Sequence, residues 1–288
     1  GDADPEGLEF ELCKAVLARD LGLHASIFSD GFMPAGYEAI GGGRTQMRDV
    51  VDRLREIGMD TMIVPVGTTG GGSDHSRQLD QMAAALSYGR ELGIATVLAL
   101  TDAGRFDFDQ LLRTANEAIR LGIRRIDLLD SNASLSPDGA RYFVSTLRSR
   151  IAEAVPLTLH VHNDFGLASA TVISAAAAGA HPDVSVNGIS YKAGFAALEE
   201  VVVGLETLYG VPTGIRLESL KSLSEIVAEK GGLAVPPLKP IVGRHAFLRD
   251  MPIWVLPIIE KGPGAFPPVG SCIAPSLVGA QMDYVWGY

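Results

Sequence analysis

Glycines that end helices recur along the first two thirds of this 288-residue chain. Each follows a stretch in which apolar residues have helical spacing, and short apolar runs typical of β-strands lie between these stretches. The β-α units repeat about every 25–40 residues, the spacing of parallel strands joined by crossover helices. The glycines are Gly22, Gly58, Gly93, Gly122 and Gly179. The pattern predicts a parallel sheet with helices outside it, either a (β/α)8 barrel or a doubly wound sheet.

The predicted elements occupy residues 1–210. Helices are expected from Pro5 to about residue 18, and over 45–57, 77–92, 108–121, 137–154, 169–178 and 196–208. Strands are expected over 24–28, 61–66, 94–100, 126–129, 157–161 and 184–186. Six β-α units leave a closed barrel two strands short. No glycine-rich dinucleotide or phosphate motif follows a strand, because the Gly-Gly-Gly at 70–72 lacks the P-loop Lys-Ser/Thr.

The chain changes character after residue 210. One more helix is predicted over 217–227, and from Gly231 onward the sequence is rich in proline and glycine. We expect a second region, 211–288, to form a helical and irregular arm, whose irregular part begins at Gly231 and carries apolar residues at 253–256. Such an arm packs on its own domain or on a partner subunit, and it favours a homodimer.

Composition excludes several classes of function. The formal net charge of −10 argues against a nucleic-acid-binding surface. Cys13 and Cys272 are too few and too far apart for a disulfide framework, which favours a reducing cytoplasm. No apolar run reaches the ~18 residues of a membrane span, and no signal peptide is expected from the acidic, polar start. A hydrophobic fraction of 47% predicts a large buried core.

Two histidines on the predicted strand 157–161 and just beyond it are the first candidates for a functional site. His160 and His162 are two residues apart, so in a strand they point to the same face. Converging imidazole nitrogens are suitable metal ligands, although histidines in a strand can also be purely structural. Asn163 and Asp164 follow at the carboxyl end of the strand, where they either orient the ligands or form a turn.

Other polar residues follow strands as well. His75 comes after a glycine-rich loop, where it either reaches a substrate or is a solvated loop residue. Asp102 and Arg105 either orient a carboxylate or form a surface ion pair. Ser131 is a candidate for hydrogen bonding to substrate, or a turn residue before the next helix.

Several segments together resemble the DRE-TIM metallolyase (HMGL-like) family, which includes isopropylmalate and homocitrate synthases and HMG-CoA lyase. The His-Val-His-Asn-Asp-Phe-Gly-Leu-Ala at 160–168 is similar to the family's seventh strand. The resemblance continues through Val-Ser-Val-Asn-Gly-Ile at 184–189, Ala-Leu-Glu-Glu-Val-Val at 197–202 and Pro-Ile-Val-Gly at 240–243. The last of these segments favours the synthases.

The resemblance implies a (β/α)8 barrel with its site at the carboxyl ends of the strands. It implies that His160 and His162 bind Mg²⁺, Mn²⁺ or Zn²⁺, which would polarise an α-keto acid. It also implies a Claisen-type condensation with acetyl-CoA. The expected catalytic residues are His75, Arg105, Tyr191 and Lys192, and the expected substrate-binding residues are Asp102, Ser131, Asn163 and Asp164.

Three departures from the family pattern accompany the resemblance. The Asp-Arg-Glu motif of the first strand is absent, so we expect the first β-α-β unit to be missing from this chain. The family's Gly-Glu-Arg-Ala-Gly-Asn is Ser-Tyr-Lys-Ala-Gly-Phe here, which places Phe195 where an asparagine often contacts the metal. No acid/base histidine follows Phe247. A metal-dependent aldolase or lyase, and a barrel that binds without catalysing, therefore remain alternatives.

Overall fold

The structure is a computed structural model that describes residues 30–32, 61–67, 75–190, 192–262 and 272–285. Within these ranges, six parallel strands form one sheet in which the order of neighbours follows the order of the chain. A doubly wound sheet would reverse its order at a switch point, whereas sequential order is that of a (β/α)8 barrel. The strands are β1 (Asp30–Phe32), β2 (Thr61–Gly67), β3 (Ala95–Thr101), β4 (Arg125–Asp130), β5 (Leu157–Val161) and β6 (His181–Pro182).

Helices connect successive strands from β2 to β6, as the sequence predicts. Side-chain caps explain where two of them begin, since Asp107 accepts a hydrogen bond from the Gln110 N–H and Ser136 accepts one from the Gly139 N–H. The helix predicted over 137–154 begins at Pro137 as expected and ends at Arg150. The helices are α1 (His75–Glu91), α2 (Phe108–Arg120), α3 (Pro137–Arg150) and α4 (Ala168–Ala176).

The central strands are buried on both faces. The β3 residues from Val97 to Leu100 have no exposed surface, and the same is true of Ile126 and Leu128 on β4. Strands covered on both faces are typical of parallel sheets flanked by helices, and they read as continuous apolar runs. This explains why the short apolar segments 94–100 and 126–129 are recognisable as strands from the sequence.

The prediction of a strand over 184–186 is wrong. The sixth strand is instead the shorter β6, and Val186–Gly188 forms a 3-10 turn. Asn187 has a φ of 60°, which a strand does not accommodate, and its N–H donates to Glu199 Oε2 at 3.0 Å. The backbone here is therefore bonded to a side chain rather than to a neighbouring strand.

Some predictions concern parts of the chain outside the described residues. They are the strand 24–28, the helix that starts at Pro5 and the helix 45–57. The expected absence of the family's first β-α-β unit likewise stays a prediction.

The described chain divides into two compact units. One comprises residues 26–185 and 190–196, and the other includes 186–189 and 197–288. The second unit contains α5 (Leu198–Leu208), α6 (Leu220–Gly231), α7 (Pro252–Lys261) and a two-stranded sheet of β7 (Leu248–Arg249) and β8 (Asp283–Tyr284). The predicted helix over 217–227 is thus found as a 3-10 turn followed by α6. The predicted division at residue 210 stays a prediction.

The C-terminal region is more regular than predicted, because α7 lies in the segment expected to be an irregular arm. Val255 is buried on this helix, while Leu256 and Ile259 are exposed. Proline at the first position of α7 is compatible with a helix start. None of the helices in the described ranges combines the length and the apolar character needed to cross a membrane.

A buried ion pair lies within the second unit. The Glu199 carboxylate on α5 is 1% exposed, and Lys239 Nζ lies 3.2 Å from it and 2.6 Å from Glu200. Burial raises the pKa of the Glu199 carboxyl, and the charge of Lys239 opposes that rise. The segment around Lys239 is thereby fastened to α5, and Lys221 Nζ adds a 2.7 Å hydrogen bond to the Val242 carbonyl.

A second buried carboxylate organises the loop that follows β4. Asp130 has no exposed surface, and its Oδ1 accepts hydrogen bonds from the N–H and the hydroxyl of Ser134 at 2.9 and 2.7 Å. Its Oδ2 accepts a third from the Leu135 N–H at 2.8 Å. Every bond uses the carboxylate as an acceptor, so the ionised form fits this loop.

We expect Asp130→Asn to lower the free energy of unfolding by about 2–3 kcal/mol, because the new amide NH₂ would face an N–H donor in a buried place. Urea unfolding followed by circular dichroism measures the change. The matched control is Glu153→Gln, the same chemical change at an exposed position, which should stay within about 0.5 kcal/mol. Equal urea midpoints for Asp130→Asn and Glu153→Gln would contradict the claim that the Asp130 carboxylate stabilises this loop.

Candidate active site

The two histidines of the predicted metal site are neighbours in space. His160 is half-buried on β5 and His162 is 3% exposed just beyond it. Their ring centroids lie 5.3 Å apart with the ring planes at 74°. This proximity agrees with the prediction that both point to one face, while their role as metal ligands stays a prediction.

Asp183 supports one of these imidazoles. His160 Nδ1 lies 3.0 Å from Asp183 Oδ2. An ionised carboxylate only accepts hydrogen bonds, so Nδ1 carries the proton and donates it. In the neutral ring the lone pair is then on Nε2, which is the arrangement of a metal-ligating histidine oriented by a carboxylate.

An aromatic ring shares the space of both imidazoles. The Phe195 ring centroid lies 4.1 Å from that of His160 and 4.8 Å from that of His162, edge to face in both cases. The backbones of His162 and Phe195 form an antiparallel β-bridge. Phe195 therefore brings carbon atoms, and no donor atom, to the part of the site nearest the histidines.

The environment of His162 disfavours its protonated form. Burial lowers the pKa of the imidazole, and electrostatic interactions with His160 and Lys192 lower it further, against weaker opposite effects of Asp164 and Asp130. A neutral imidazole is the form that binds a metal ion or accepts a proton. His162 is thus held in its neutral form at physiological pH.

Lys192 joins two other predicted site residues. Its Nζ lies 3.2 Å from Asp164 Oδ2 and donates to the Ser131 carbonyl at 3.1 Å. Its backbone has a φ of 57° in the left-handed region. The structure thus brings Ser131, Asp164 and Lys192 together, and the Ser131 contact uses its carbonyl rather than the predicted hydroxyl.

Asp102 and Arg105 form a second polar group after β3. Arg105 Nε donates to Asp102 at 2.9 Å, and Asn132 Nδ2 donates to the other Asp102 oxygen at 2.8 Å. The Asp102 side chain is 3% exposed and that of Arg105 is 59% exposed. The pair is therefore a buried carboxylate with an exposed guanidinium, which differs from a simple surface ion pair.

The remaining predicted site residues have different surroundings. Asn163 Oδ1 accepts a hydrogen bond from the Ala168 N–H at 3.1 Å at the start of α4, which is the role of a turn residue. His75 is the first residue of α1. Tyr191 lies outside the described residues.

Two residues of this group escaped sequence reasoning. Asp183 is 23 positions from His160. The sequence predicts a strand over 184–186, which places Asp183 before the strand, whereas in the structure Asp183 directly follows β6. The signal that could have found it is the preference of a ligating histidine for a carboxylate partner. Asn132 stands beside Ser131 in the sequence, and only the structure shows its bond to Asp102.

The donors fit a divalent ion held by two imidazoles, with its other positions left to water or substrate oxygens. His160 has the carboxylate support that such a ligand requires. Among the described residues there is no group of three or more His, Cys, Asp or Glu side chains arranged to hold a metal. Among the residues that the structure describes, the candidate metal ligands are therefore the two histidines.

Comparison with known proteins defines the class. The family model described as HMGL-like matches residues 46–227, which is more than half of the chain. The hydroxymethylglutaryl-CoA lyase of Pseudomonas aeruginosa superposes with a TM-score of 0.58 at 18% identity, over 65% of this chain and 68% of that one. The chain therefore has a TIM-barrel fold and belongs to the HMGL-like family, which confirms the resemblance drawn from its motifs.

Two of the similar proteins are named as synthases. The chain is 36% identical over 210 residues to the (R)-citramalate synthase of Methanocaldococcus jannaschii, covering 73% of this chain and 41% of the relative. It is 33% identical over 248 residues to the homocitrate synthase of Methanopyrus kandleri, covering 84% and 61% respectively. This chain thus spans about half the length of the relatives it matches.

The lowered pKa of His162 predicts how stability depends on pH. In the unfolded chain this group titrates near its usual pKa of about 6.5, so below that pH the unfolded state binds more protons than the native state. The free energy of unfolding should therefore fall as the pH decreases through about 6.5 toward the native pKa. Urea titrations at pH values from about 7.5 to about 5.5, in the presence of chelator, would measure this fall in the free energy of unfolding. The range extends about one pH unit to either side of the pKa of histidine in the unfolded chain.

His162→Gln is the control for this prediction, because glutamine does not titrate. The pH dependence of unfolding should be shallower in that variant over the same range. A slope that is unchanged by the substitution would contradict the assignment to His162.

Proposed function

We propose that this chain is the barrel of an enzyme that condenses an acyl-CoA, such as acetyl-CoA, with an α-keto acid. The observation that carries the proposal is the His160–Asp183 pair beside the buried His162, at the carboxyl ends of the strands. Relatives named as synthases favour bond formation over bond cleavage. Likeness to a lyase structure at 18% identity bears on the fold alone.

His160 and His162 are the residues that would hold Mg²⁺, Mn²⁺ or Zn²⁺ in this proposal. Bound there, the ion would act as a Lewis acid toward the carbonyl of the keto acid. Asp183 would keep the His160 ring in the ligating tautomer. The downward shift in the pKa of His162 supports the same role, since the neutral ring has a lone pair available.

The cationic side chains would bind the charged end of the substrate. Lys192 and Arg105 are both partly exposed, and each is fixed by an aspartate, Asp164 and Asp102 respectively. A fixed cation whose other hydrogen-bond donors face solvent is suited to a carboxylate. We assign Lys192 and Arg105 to binding the carboxylate of the keto acid.

The proposed reaction has a simple balance. A base removes a proton from the acyl α-carbon, that carbon forms a bond to the keto carbon, and the keto oxygen takes up a proton. Water then cleaves the thioester and releases the CoA thiol. Each turnover therefore consumes one α-keto acid and one acyl-CoA and leaves one free thiol, which gives the assay its signal.

A barrel that binds keto acids without turning them over is the second candidate. The contact of Phe195 with both imidazoles favours this binding barrel, because a phenyl ring supplies no ligand atom.

The proposal also includes a homodimer formed through residues 211–288 and a cytoplasmic location. Neither alters the chemistry at the site.

We expect the chelator-stripped chain to take up about one divalent ion on reloading, and His160→Ala to lose that ion. With acetyl-CoA and pyruvate or 2-oxoglutarate, the loaded chain should release free thiol, and the variant should be at least about 100-fold slower. Metal analysis and a thiol-reagent assay give the two readouts. The control is His245→Ala, which removes an exposed histidine of the other unit. A metal-loaded chain that releases no thiol with any keto acid would refute the condensing enzyme and favour the binding barrel.

Lys192→Met should raise the KM for the keto acid by about tenfold and change the KM for acetyl-CoA less, because the variant loses a cation for the carboxylate. Steady-state kinetics with each substrate varied in turn would separate the two constants. Lys230→Met removes an exposed lysine at the end of α6 and should change neither constant. An unchanged KM for the keto acid in Lys192→Met would contradict the assignment.

A further inference from the structure

A cleft lies at the amino ends of β3 and β4, at the opposite edge of the sheet from the histidine pair. Its volume is about 280 Å³, and it is bounded by the ends of α1 and α2 and by the starts of the two strands. The active site of a TIM barrel is at the carboxyl ends of its strands, so this cleft is separate from the candidate active site. Its lining includes Arg90, Gly93, Thr96, Leu121, Gly122 and Arg124.

Two of the lining residues are arginines that have no carboxylate partner among the residues that the structure describes. Arg124 Nη1 donates to the hydroxyl of the buried Thr61 at 3.1 Å, and Arg90 is exposed in the last turn of α1. By contrast, Arg105 and Arg125 each form an ion pair with an aspartate. In a chain with a formal net charge of −10, the two guanidinium groups give this cleft a local excess of positive charge.

The backbone at the two helix ends is hydrogen-bonded within the chain. The Gly89 carbonyl of α1 accepts from the Ile94 N–H at 2.8 Å, and the Ile119 carbonyl of α2 accepts from the Gly122 N–H at 2.9 Å. Carbonyls at the end of a helix carry a partial negative charge, and these bonds partly satisfy them. The guanidinium groups are thus the charged groups that the cleft offers to a ligand.

We propose that this cleft is a binding site for a small anion that carries a carboxylate or phosphate group. A guanidinium group presents parallel N–H donors that match two oxygens of such a group, and two guanidinium groups can bind it from two sides. The volume of about 280 Å³ is close to the lower bound of about 300 Å³ for pockets that hold small molecules. Gly93 and Gly122 leave room at the lining, since a methyl group at either position would meet no atom within 4 Å beyond its chain neighbours.

The experiment measures anion binding in the absence of substrates and metal. Ligand-observed NMR of the full chain is titrated with inorganic phosphate and with butanoate at constant ionic strength, and butylamine is the cationic control. At least one of the two anions should bind with a dissociation constant of about 1 mM, and butylamine should not bind. Phosphate binding alone would identify a phosphate site, and butanoate binding alone a carboxylate site.

Substitutions in the cleft assign the binding to the two arginines. Arg90→Met and Arg124→Met should each weaken the dissociation constant of the bound anion by about tenfold, because each removes a charged hydrogen-bond donor group. Arg90→Lys should weaken it less, since the charge is kept and the paired donors are lost. The matched control is Arg141→Met, which removes an exposed arginine of α3 and should keep the native constant.

Thermal unfolding provides a second readout, because a ligand that binds only the native state raises the melting temperature. At ten times its native dissociation constant, the anion should raise the Tm of the native chain and of Arg141→Met by about 3 °C and that of Arg90→Met by about 1 °C. Phosphate also stabilises proteins by exclusion from their surface, and that effect is common to all variants.

A native chain that binds neither anion would overturn the proposal. Equal dissociation constants for Arg90→Met, Arg124→Met and Arg141→Met would overturn it as well, and circular dichroism shows whether each variant is folded. The proposed condensing activity is tested by thiol release at the other edge of the sheet, so either proposal can fail without the other.

Discussion

The candidate site depends on the in-order parallel pairing of the strands. Because β4 and β5 are paired with Leu129 opposite His160 and Asp130 opposite Val161, the two strands end level with each other. The His162 N–H then reaches the Asp130 carbonyl at 3.4 Å, and the loops that follow the two strands start side by side. The register of a buried sheet cannot slip by one residue without turning its apolar side chains outward, so this alignment is firmly specified.

Side-chain bonds compensate for unfavourable backbone conformations at the same edge. Asp102 and Lys192 have φ values of 56° and 57°, which cost about 1–2 kcal/mol for residues other than glycine. Both use their charged side chains to bind a neighbouring loop, Asp102 through Asn132 and Lys192 through the Ser131 carbonyl. Two strained residues from different loops therefore converge on the segment after β4, which makes that segment the common support of the polar groups.

Sequence reasoning succeeded where the signal is local. The period of two through His160 and His162 needs only the geometry of one strand, and the start of the helix predicted at residue 137 is set within three residues, by the Ser136 side chain and the Gly139 N–H. The strand at 184–186 was misjudged because its valines alternate as in a strand, while the turn at Asn187 is set by a bond to Glu199, twelve residues later.

The arrangement of side chains within the site is set by longer-range contacts. The Phe195 substitution is visible in the sequence, but a ring in contact with both imidazoles is a property of the fold and of the bridge to His162. The partnership of Asp183 with His160 is likewise set by the pairing of β5 with β6, which brings the Asp183 N–H to the Leu159 carbonyl at 3.0 Å. Periodicity in a single chain carries no information on such pairings.

The ion pair of Glu199 and Lys239 bears on how this chain can be shortened. A fragment that ended at residue 210 would keep Glu199, 1% exposed in the full chain, and lose the ammonium that neutralises it. Without Lys239, the buried Glu199 carboxylate must either take up a proton or become hydrated by water that enters the interior. Removing one partner of a buried ion pair costs about 3–5 kcal/mol of stability. Lys239 is thus an integral counter-charge for α5, and a fragment that contains α5 has to extend beyond Lys239.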